Sequence, residues 1–146
     1  MVSGSRLTVF VFYSETCPCL RVHEDRLKRI QADYSPRGVS LVLVNSEVGA
    51  EPSRDAREAR RRGYPFPLLT DPQARLARAL NAQFATHAVV VDAAGIVQYS
   101  GGIDSDKNHL RETATPYLRD ALDQLLAGRP ARAVEREALG CALQLR

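Results

Sequence analysis

Apolar stretches of two kinds alternate along the first third of the chain. Residues 7–13 are apolar on both faces and rich in β-branched and aromatic side chains, which predicts a buried central strand. Residues 39–44 have the same character and predict a second buried strand. Between them, apolar residues recur at helical spacing and predict an amphipathic helix. Its inner face consists of Leu20, Leu27, Ile30 and Tyr34.

The rest of the pattern predicts three helices, an extended segment and a β-hairpin. In chain order these are a helix over 53–62, an extended segment over 64–69, a helix capped by Asp71, a hairpin with strands at 86–91 and 96–99, and a helix over 118–125. Alternating strands and helices followed by a late hairpin are typical of a mixed sheet with helices on both faces. The predicted fold class is α/β, in a single domain over 1–146 with a tail over 129–146.

The length and net charge of the chain favour a globular domain and argue against a nucleic-acid-binding protein. A chain of 146 residues can bury its own core without disulfides. Its net charge of +3 comes largely from arginines concentrated between 54 and 62. Asp55 and Glu58 interrupt this run and no aromatic residues lie within it, which favours a solvated helix face over a nucleic-acid interface. We therefore expect no nucleic-acid partner.

No stretch of the sequence predicts a membrane span or a secretory leader. The longest apolar run, around residues 7–13, is too short to cross a bilayer. The first residues lack a charged leader with an apolar core and a cleavage site. This fits a cytoplasmic protein, and it fits equally well a periplasmic protein whose leader has been removed, so the localisation stays open.

Three cysteines carry the candidate chemistry. Cys17 and Cys19 flank Pro18 where the first helix is expected to begin, with Thr16 as its N-cap, and Cys141 lies in the tail. A helix N-terminus stabilises a thiolate, which is the reactive form of cysteine. We expect Cys17 to attack disulfides and Cys19, the nearest thiol, to resolve the mixed disulfide. If the tail folds over the site, Cys141 is the other candidate for that role.

Several motifs in order resemble the thioredoxin-like redoxin-domain family, which includes alkyl hydroperoxide reductase/thiol-specific antioxidant proteins and TlpA-like thiol oxidoreductases. These are the buried strand leading into Cys-Pro-x, the Val-Val-Val-Asp-x-x-Gly hairpin at 89–95, and Gly140-Cys141. The resemblance implies a thioredoxin-like fold. It also implies a thiol-disulfide oxidoreductase or redox partner protein acting on protein or small-molecule thiols and disulfides, with no required cofactor.

The sequence departs from that family at three points. A single residue separates Cys17 and Cys19, whereas the thioredoxin motif has two residues between its cysteines. Ala85, Thr86 and His87 stand where the family has its cis-proline. The strand that usually precedes the first buried strand is missing. The site is therefore expected to be atypical for the family.

A metal-binding function is the main alternative. His23 lies four residues after Cys19 on the same helical face, and His87 falls in the loop that the fold places beside the active site. Thiolates and imidazoles suit a soft ion such as copper(I), or zinc. The set Cys17, Cys19, His23 and His87 is similar to that of Sco-type copper chaperones, which share the fold. His23 also fits the buried stripe of its helix, and His87 could instead exchange a proton with Cys17.

A thiol peroxidase is the weakest of the three hypotheses. Ser14 lies three residues before Cys17, as a serine or threonine does in peroxiredoxins, but Phe10 replaces their upstream proline. Polar residues commonly occupy such turns for structural reasons. Among the acidic residues, Glu15 is expected to face solvent, and Asp104 is expected to cap the turn before the last helix.

Overall fold

The computed structural model describes residues 4–107, 109–131 and 140–145. Within them the chain forms five strands and four α-helices. The strands are β1 (Leu7–Phe12), β2 (Val39–Asn45), β3 (Leu68–Thr70), β4 (Ala88–Asp92) and β5 (Val97–Gly101). The helices are α1 (Pro18–Tyr34), α2 (Pro52–Arg61), α3 (Arg75–Ala79) and α4 (Tyr117–Leu126). These elements agree with the sequence pattern in type and order, and differ from it by a few residues at their ends.

The strands form one mixed sheet in the order β3-β2-β1-β4-β5. β1 runs parallel to β2 and antiparallel to β4, and the hairpin partner β5 is antiparallel to β4. Every residue of β1 is buried. Since successive side chains of a strand point to opposite faces, both faces of the central strand are covered. The predicted α/β class with a mixed central sheet is confirmed.

Helix α1 begins one residue later than its sequence predicts. Cys17, and not Thr16, is the N-cap, with extended backbone angles, and Pro18 occupies the first helical position. Proline fits there because its fixed φ is already helical and its missing N–H has no partner to lose. The prediction of Thr16 as N-cap is therefore wrong. This start places Cys17 itself at the junction between β1 and α1.

The region after β3 is more irregular than the pattern indicates. The extended segment pairs as a strand only at its end, in β3. The Asp71 carboxylate accepts hydrogen bonds from the N–H groups of Leu76 and Ala77, both at 2.9 Å, and from the Ser46 hydroxyl at 2.7 Å. Asp71 therefore holds the start of α3 across a kinked turn and ties it to the end of β2.

Residues 140–145, called the tail segment below, lie extended across two loops. The segment pairs with the loop before β4 through an antiparallel bridge between Ala142 and Phe84, and with the loop after β2 through one between Leu145 and Glu47. Residues 132–139 and 146 of the expected tail lie outside the described residues. None of the helices that the structure describes combines the length and apolarity needed to cross a membrane.

Candidate thiol site

Three cysteine sulfurs meet where β1, α1 and the tail segment converge. The Sγ atoms of Cys17, Cys19 and Cys141 all lie within 4.8 Å of one another. Cys17 and Cys19 are buried and Cys141 is half-buried, and all three are free thiols. The structure therefore brings together the three cysteines that the sequence singled out, including the one that is distant in sequence.

The approach of Cys141 depends on the backbone around it. The N–H of Ala85 donates a 2.8 Å hydrogen bond to the carbonyl of Cys141. A Cβ atom on residue 140 would lie 2.0 Å from the carbonyl oxygen of Ala85, far inside van der Waals contact. Gly140 is required because any larger residue would push the tail segment off the loop. The Gly140-Cys141 pair is thus a close-approach glycine followed by a positioned thiol.

Cys17 occupies the position in which a thiolate is best stabilised. Burial raises the pKa of Cys17, but hydrogen bonds from the Cys141 thiol and from the backbone N–H groups of Leu20, Cys141 and Cys19 outweigh this effect. The net result is a pKa below that of an ordinary cysteine. Two of these N–H groups belong to the first turn of α1, where the helix dipole also favours a negative charge.

The other two thiols are held in their protonated form. Burial raises the pKa of Cys19, and the nearby charge of Cys17 raises it further. The hydrogen bond to Cys17 raises the pKa of Cys141 to about 12, with burial adding to the effect. A cluster of three thiols in contact accommodates one negative charge easily and a second one poorly, since like charges repel in a buried site. Cys17 is therefore the cysteine of the cluster that loses its proton most readily, and Cys19 and Cys141 hold theirs more tightly.

The imidazole of His23 makes its hydrogen bonds to groups other than the three cysteine sulfurs. Its Nδ1 lies 2.6 Å from the carbonyl oxygen of Cys19 and its Nε2 lies 3.0 Å from Oδ1 of Asp104. Both neighbours only accept hydrogen bonds, so both ring nitrogens carry protons and the ring is an imidazolium. Burial lowers the pKa of His23, but its hydrogen bonds to Asp104 and to the Cys19 carbonyl raise it overall. In this arrangement His23 has no lone pair to offer a metal.

Asp104 caps the turn that follows it and also belongs to a buried ion network. Its two carboxylate oxygens contact His23 and, at 2.7 Å, Arg26. Arg26 also contacts Asp106 at 2.9 Å, and Asp106 contacts Arg111 at 2.8 Å. Burial alone raises the pKa of Asp104, but His23 and Arg26 lower it overall. Oδ1 of Asp104 also accepts a 2.8 Å hydrogen bond from the N–H of Asp106, so the expected capping of this turn is present beside the network, which ties α1 to the segment after β5.

His87 also lies outside the thiol cluster. Its Nε2 is 2.7 Å from the Ser100 hydroxyl, and its ring meets Phe12 edge-on with centroids 6.4 Å apart. Its buried Nδ1 has no hydrogen-bond partner among the described residues. Burial lowers the pKa of His87, which favours the neutral ring. Within the described part of the chain, the only group of three or more candidate metal ligands is the cysteine cluster.

The loop that replaces the cis-proline has a distinct geometry. All peptide bonds of the described residues are trans, and Thr86 has a φ of 71°, in the left-handed region that non-glycine residues seldom adopt. The N–H of Thr86 donates to the carbonyl of Phe12 at 2.8 Å. The loop is thereby anchored to the end of β1 beside Cys17 without a proline. On the other side, Glu15 faces solvent and pairs with Arg54, as expected for that acid.

The sequence also matches a known family. A family model described as Redoxin matches residues 2–115. The chain belongs to the Redoxin family. Curated proteins provide no match to this redoxin. Its resemblance to the thioredoxin-like redoxins, drawn from the motifs alone, is confirmed.

Solved structures show the same architecture. An uncharacterized conserved protein from Geobacillus kaustophilus is 30% identical, with a TM-score of 0.85 over 97% of this redoxin and 78% of that chain. The hypothetical protein SMc02350 from Sinorhizobium meliloti 1021 is 25% identical, with a TM-score of 0.85 over 98% and 81% of the two chains. A Chlorobium tepidum protein described as a thiol:disulfide interchange protein, DsbE, is 20% identical, with a TM-score of 0.60 over 86% and 80%. A protein described as a thioredoxin-like protein in the oxidized form is 16% identical, with a TM-score of 0.63 over 86% of this redoxin and 81% of that chain, so the fold is thioredoxin-like.

Proposed function

We propose that this redoxin is a thiol-disulfide oxidoreductase in which Cys17 is the attacking thiolate. The observation that carries the proposal is the three-sulfur cluster in which only Cys17 has a lowered pKa. A nucleophilic thiolate with protonated thiols beside it is the arrangement that disulfide exchange requires. The description of the structurally similar Chlorobium tepidum protein as a thiol:disulfide interchange protein supports the same chemistry.

The reaction has two steps with balanced electrons. First, the Cys17 thiolate attacks one sulfur of a partner disulfide, forming a bond to that sulfur while the partner's other sulfur leaves as a thiolate. Second, a neighbouring thiol loses its proton to the leaving thiolate and attacks the Cys17 sulfur, releasing the partner's remaining thiolate. The partner gains two electrons and two cysteines of this chain lose them. An external dithiol then reduces the new disulfide.

Cys141 is better placed than Cys19 to resolve the mixed disulfide. The proposed resolving thiol is therefore the one in the tail segment, and not the one nearest to Cys17 in sequence. The Cys141 thiol is hydrogen-bonded to the Cys17 sulfur, and this contact is the largest cause of its own raised pKa. Cys141 also lies on a separate extended segment, whereas Cys19 is fixed in the first turn of the same helix as Cys17. A disulfide between Cys17 and Cys19 would close a small ring whose geometry the helix restricts. Cys19 is the second candidate.

The test uses the full-length chain and three cysteine-to-serine variants with a protein disulfide and an external dithiol. We expect Cys17→Ser to abolish turnover. Cys141→Ser should accumulate a mixed disulfide between Cys17 and the partner, visible by mass spectrometry without reduction. Cys19→Ser should turn over and accumulate little mixed disulfide. Full activity of Cys17→Ser would exclude Cys17 as nucleophile, and accumulation with Cys19→Ser alone would return the resolving role to Cys19.

A copper(I)-binding function is the second candidate, and one observation favours it. Two sulfurs bound to one ion at about 2.3 Å can lie no more than roughly 4.6 Å apart. The three sulfurs, within 4.8 Å of one another, are therefore already close to the spacing of a three-thiolate site. Such donors suit soft ions such as copper(I) or zinc. In this version Cys141 takes the place that the sequence hypothesis gave to His23 and His87.

Anaerobic titration with copper(I) against a competing chelator tests this candidate. We expect one tightly bound ion per chain, with affinity reduced at least tenfold in Cys141→Ser and unchanged in His87→Ala. A loss of binding in His87→Ala with none in Cys141→Ser would restore the histidine hypothesis. The peroxidase hypothesis stays a prediction, and rapid consumption of hydrogen peroxide by the reduced chain would support it.

A further inference from the structure

The tail segment has the side-chain pattern of a strand lying on a surface. Cys141, Leu143 and Leu145 are buried or half-buried, whereas Ala142 and Gln144 between them are exposed. This alternation means that one face of the segment packs on the protein and the other faces water. Leu143 belongs to the main apolar core, and Leu145 packs against it. The surface beneath therefore accepts a thiol and two apolar side chains at alternate positions.

Main-chain hydrogen bonds hold the segment in place. The N–H of Ala85 donates to the carbonyl of Cys141 at 2.8 Å, and the N–H of Leu143 donates to the carbonyl of Gln83 at 2.9 Å. At the far end, the N–H of Val48 donates to the carbonyl of Gln144 at 2.8 Å. Backbone groups such as these are offered by any extended polypeptide, so they provide affinity without sequence preference. Any sequence preference of this surface would therefore have to come from the three positions that Cys141, Leu143 and Leu145 occupy.

We propose that the surface beneath the tail segment is a recognition site for an extended polypeptide that carries a cysteine followed by apolar residues two and four positions later. The tail segment is the chain's own occupant of this site. A partner bound in the same way places its cysteine where Cys141 now lies, against the Cys17 sulfur. This names the substrate class of the thiol site and in that respect rests on the proposed function, although the binding itself requires no disulfide exchange.

The tail segment and a partner compete for one site. When a binding site is free for only a fraction of the time, the apparent affinity for a ligand falls by that fraction. A tail seated nine-tenths of the time or more lowers the affinity for a partner about tenfold or more. Gly140 allows this seating, because a Cβ atom there would lie 2.0 Å from the Ala85 carbonyl oxygen. A single added methyl group is therefore expected to unseat the tail and open the site.

The experiment measures the binding of a labelled peptide to the full-length chain by fluorescence anisotropy. The probe has the sequence GSALQL, which is the tail segment with serine for cysteine, so it cannot form a disulfide. We expect Gly140→Ala to bind this peptide at least tenfold more tightly than the natural chain. Leu143→Asp, which removes an apolar contact of the tail instead of its close approach, should give the same gain. A second peptide, GSADQD, replaces both apolar residues with aspartate and should bind measurably to none of the three chains.

Gly95→Ala is the matched control. Gly95 has a φ of 84° and lies in the β4–β5 turn, at the end of the sheet opposite the thiols, with open space around it. Its substitution strains the backbone while leaving the tail seated, so peptide binding should remain that of the natural chain. Equal binding to the natural chain and to both tail variants, or equal binding of the two peptides, would overturn the proposal. The probe contains no cysteine and its binding is measured without turnover, so a failure of the proposed disulfide exchange would leave this result unchanged and keeps the two proposals distinguishable.

Discussion

Removing the hydrogen-bond donor of Cys141 tests the physical basis of Cys17 reactivity. The Cys141 thiol is the foremost of the contacts that lower the pKa of Cys17. A hydrogen bond to a charged group contributes roughly 1.5–3 kcal/mol, and a thiol is a weak donor, so about 1.4 kcal/mol is a fair magnitude. That energy corresponds to about a tenfold change in the ionisation equilibrium. We therefore expect Cys141→Ala to raise the pKa of Cys17 and to shift its ionisation equilibrium about tenfold toward the protonated thiol.

The assay is a pH titration of thiolate absorbance near 240 nm in the reduced, full-length chain. Absorbance suits this site because Cys17 is fully buried, so the rate of a labelling reagent would report access as well as ionisation. Cys141→Ser is the matched control, since its hydroxyl keeps a donor at the same position and should preserve the low pKa. An unchanged or lowered pKa of Cys17 in Cys141→Ala would refute the reasoning and assign the stabilisation to the helix N-terminus.

Three further predictions concern stability, each measured by urea unfolding. Asp104→Asn leaves the buried His23 imidazolium without its carboxylate and should lower the free energy of unfolding by about 3–5 kcal/mol. Because folding raises the pKa of His23, the natural pair stabilises the fold fully below about pH 6.5, and this stabilisation is lost as the pH rises through the pKa of His23 in the folded chain. The variant should lose this pH dependence of stability. Asp71→Ala removes the acceptor of two backbone N–H groups and should cost about 2–4 kcal/mol, whereas the exposed Asp25→Ala should change little. Leu122→Ala, fully buried in α4, should cost about 2–5 kcal/mol, and a loss below 1 kcal/mol would contradict the packing described for α4.

The elements that the sequence predicts well are those with strong local periodicity. β1 and β2 are buried on both faces and therefore read as continuous apolar runs, and α1 carries its apolar residues at helical spacing. Their order is enough to predict the α/β class and to place Cys17 between a strand and a helix. The N-cap shifts by one residue because a proline at the first helical position decides the start more strongly than a polar side chain before it.

The site is harder to predict because its remaining parts are distant in sequence. Cys141 reaches Cys17 through main-chain bonds of a six-residue segment, which has no helical period and is too short to give a strand signal. The only local signal in the sequence is Gly140, the residue before Cys141. The structure explains this glycine, because a Cβ atom there would collide with the carbonyl oxygen of Ala85. His23 looked equally suited to a metal or to a buried stripe. Its partner Asp104 lies 81 residues away, so the sequence around His23 could not show the hydrogen bond that occupies its Nε2.

If both proposals hold, recognition and chemistry are coupled in this redoxin through a single short segment. The tail segment supplies the hydrogen bond that lowers the pKa of Cys17, the thiol proposed to resolve its mixed disulfide, and the occupant of the proposed recognition site. A partner that displaces it removes the Cys141 thiol but brings its own sulfur to the same place, so Cys17 meets a disulfide as its own stabilising contact leaves. The loss of that hydrogen bond raises the energy of the thiolate at the moment of attack, which makes it more nucleophilic. Return of the tail would then bring Cys141 to the mixed disulfide and exclude the partner, so that resolution and release would follow from one movement.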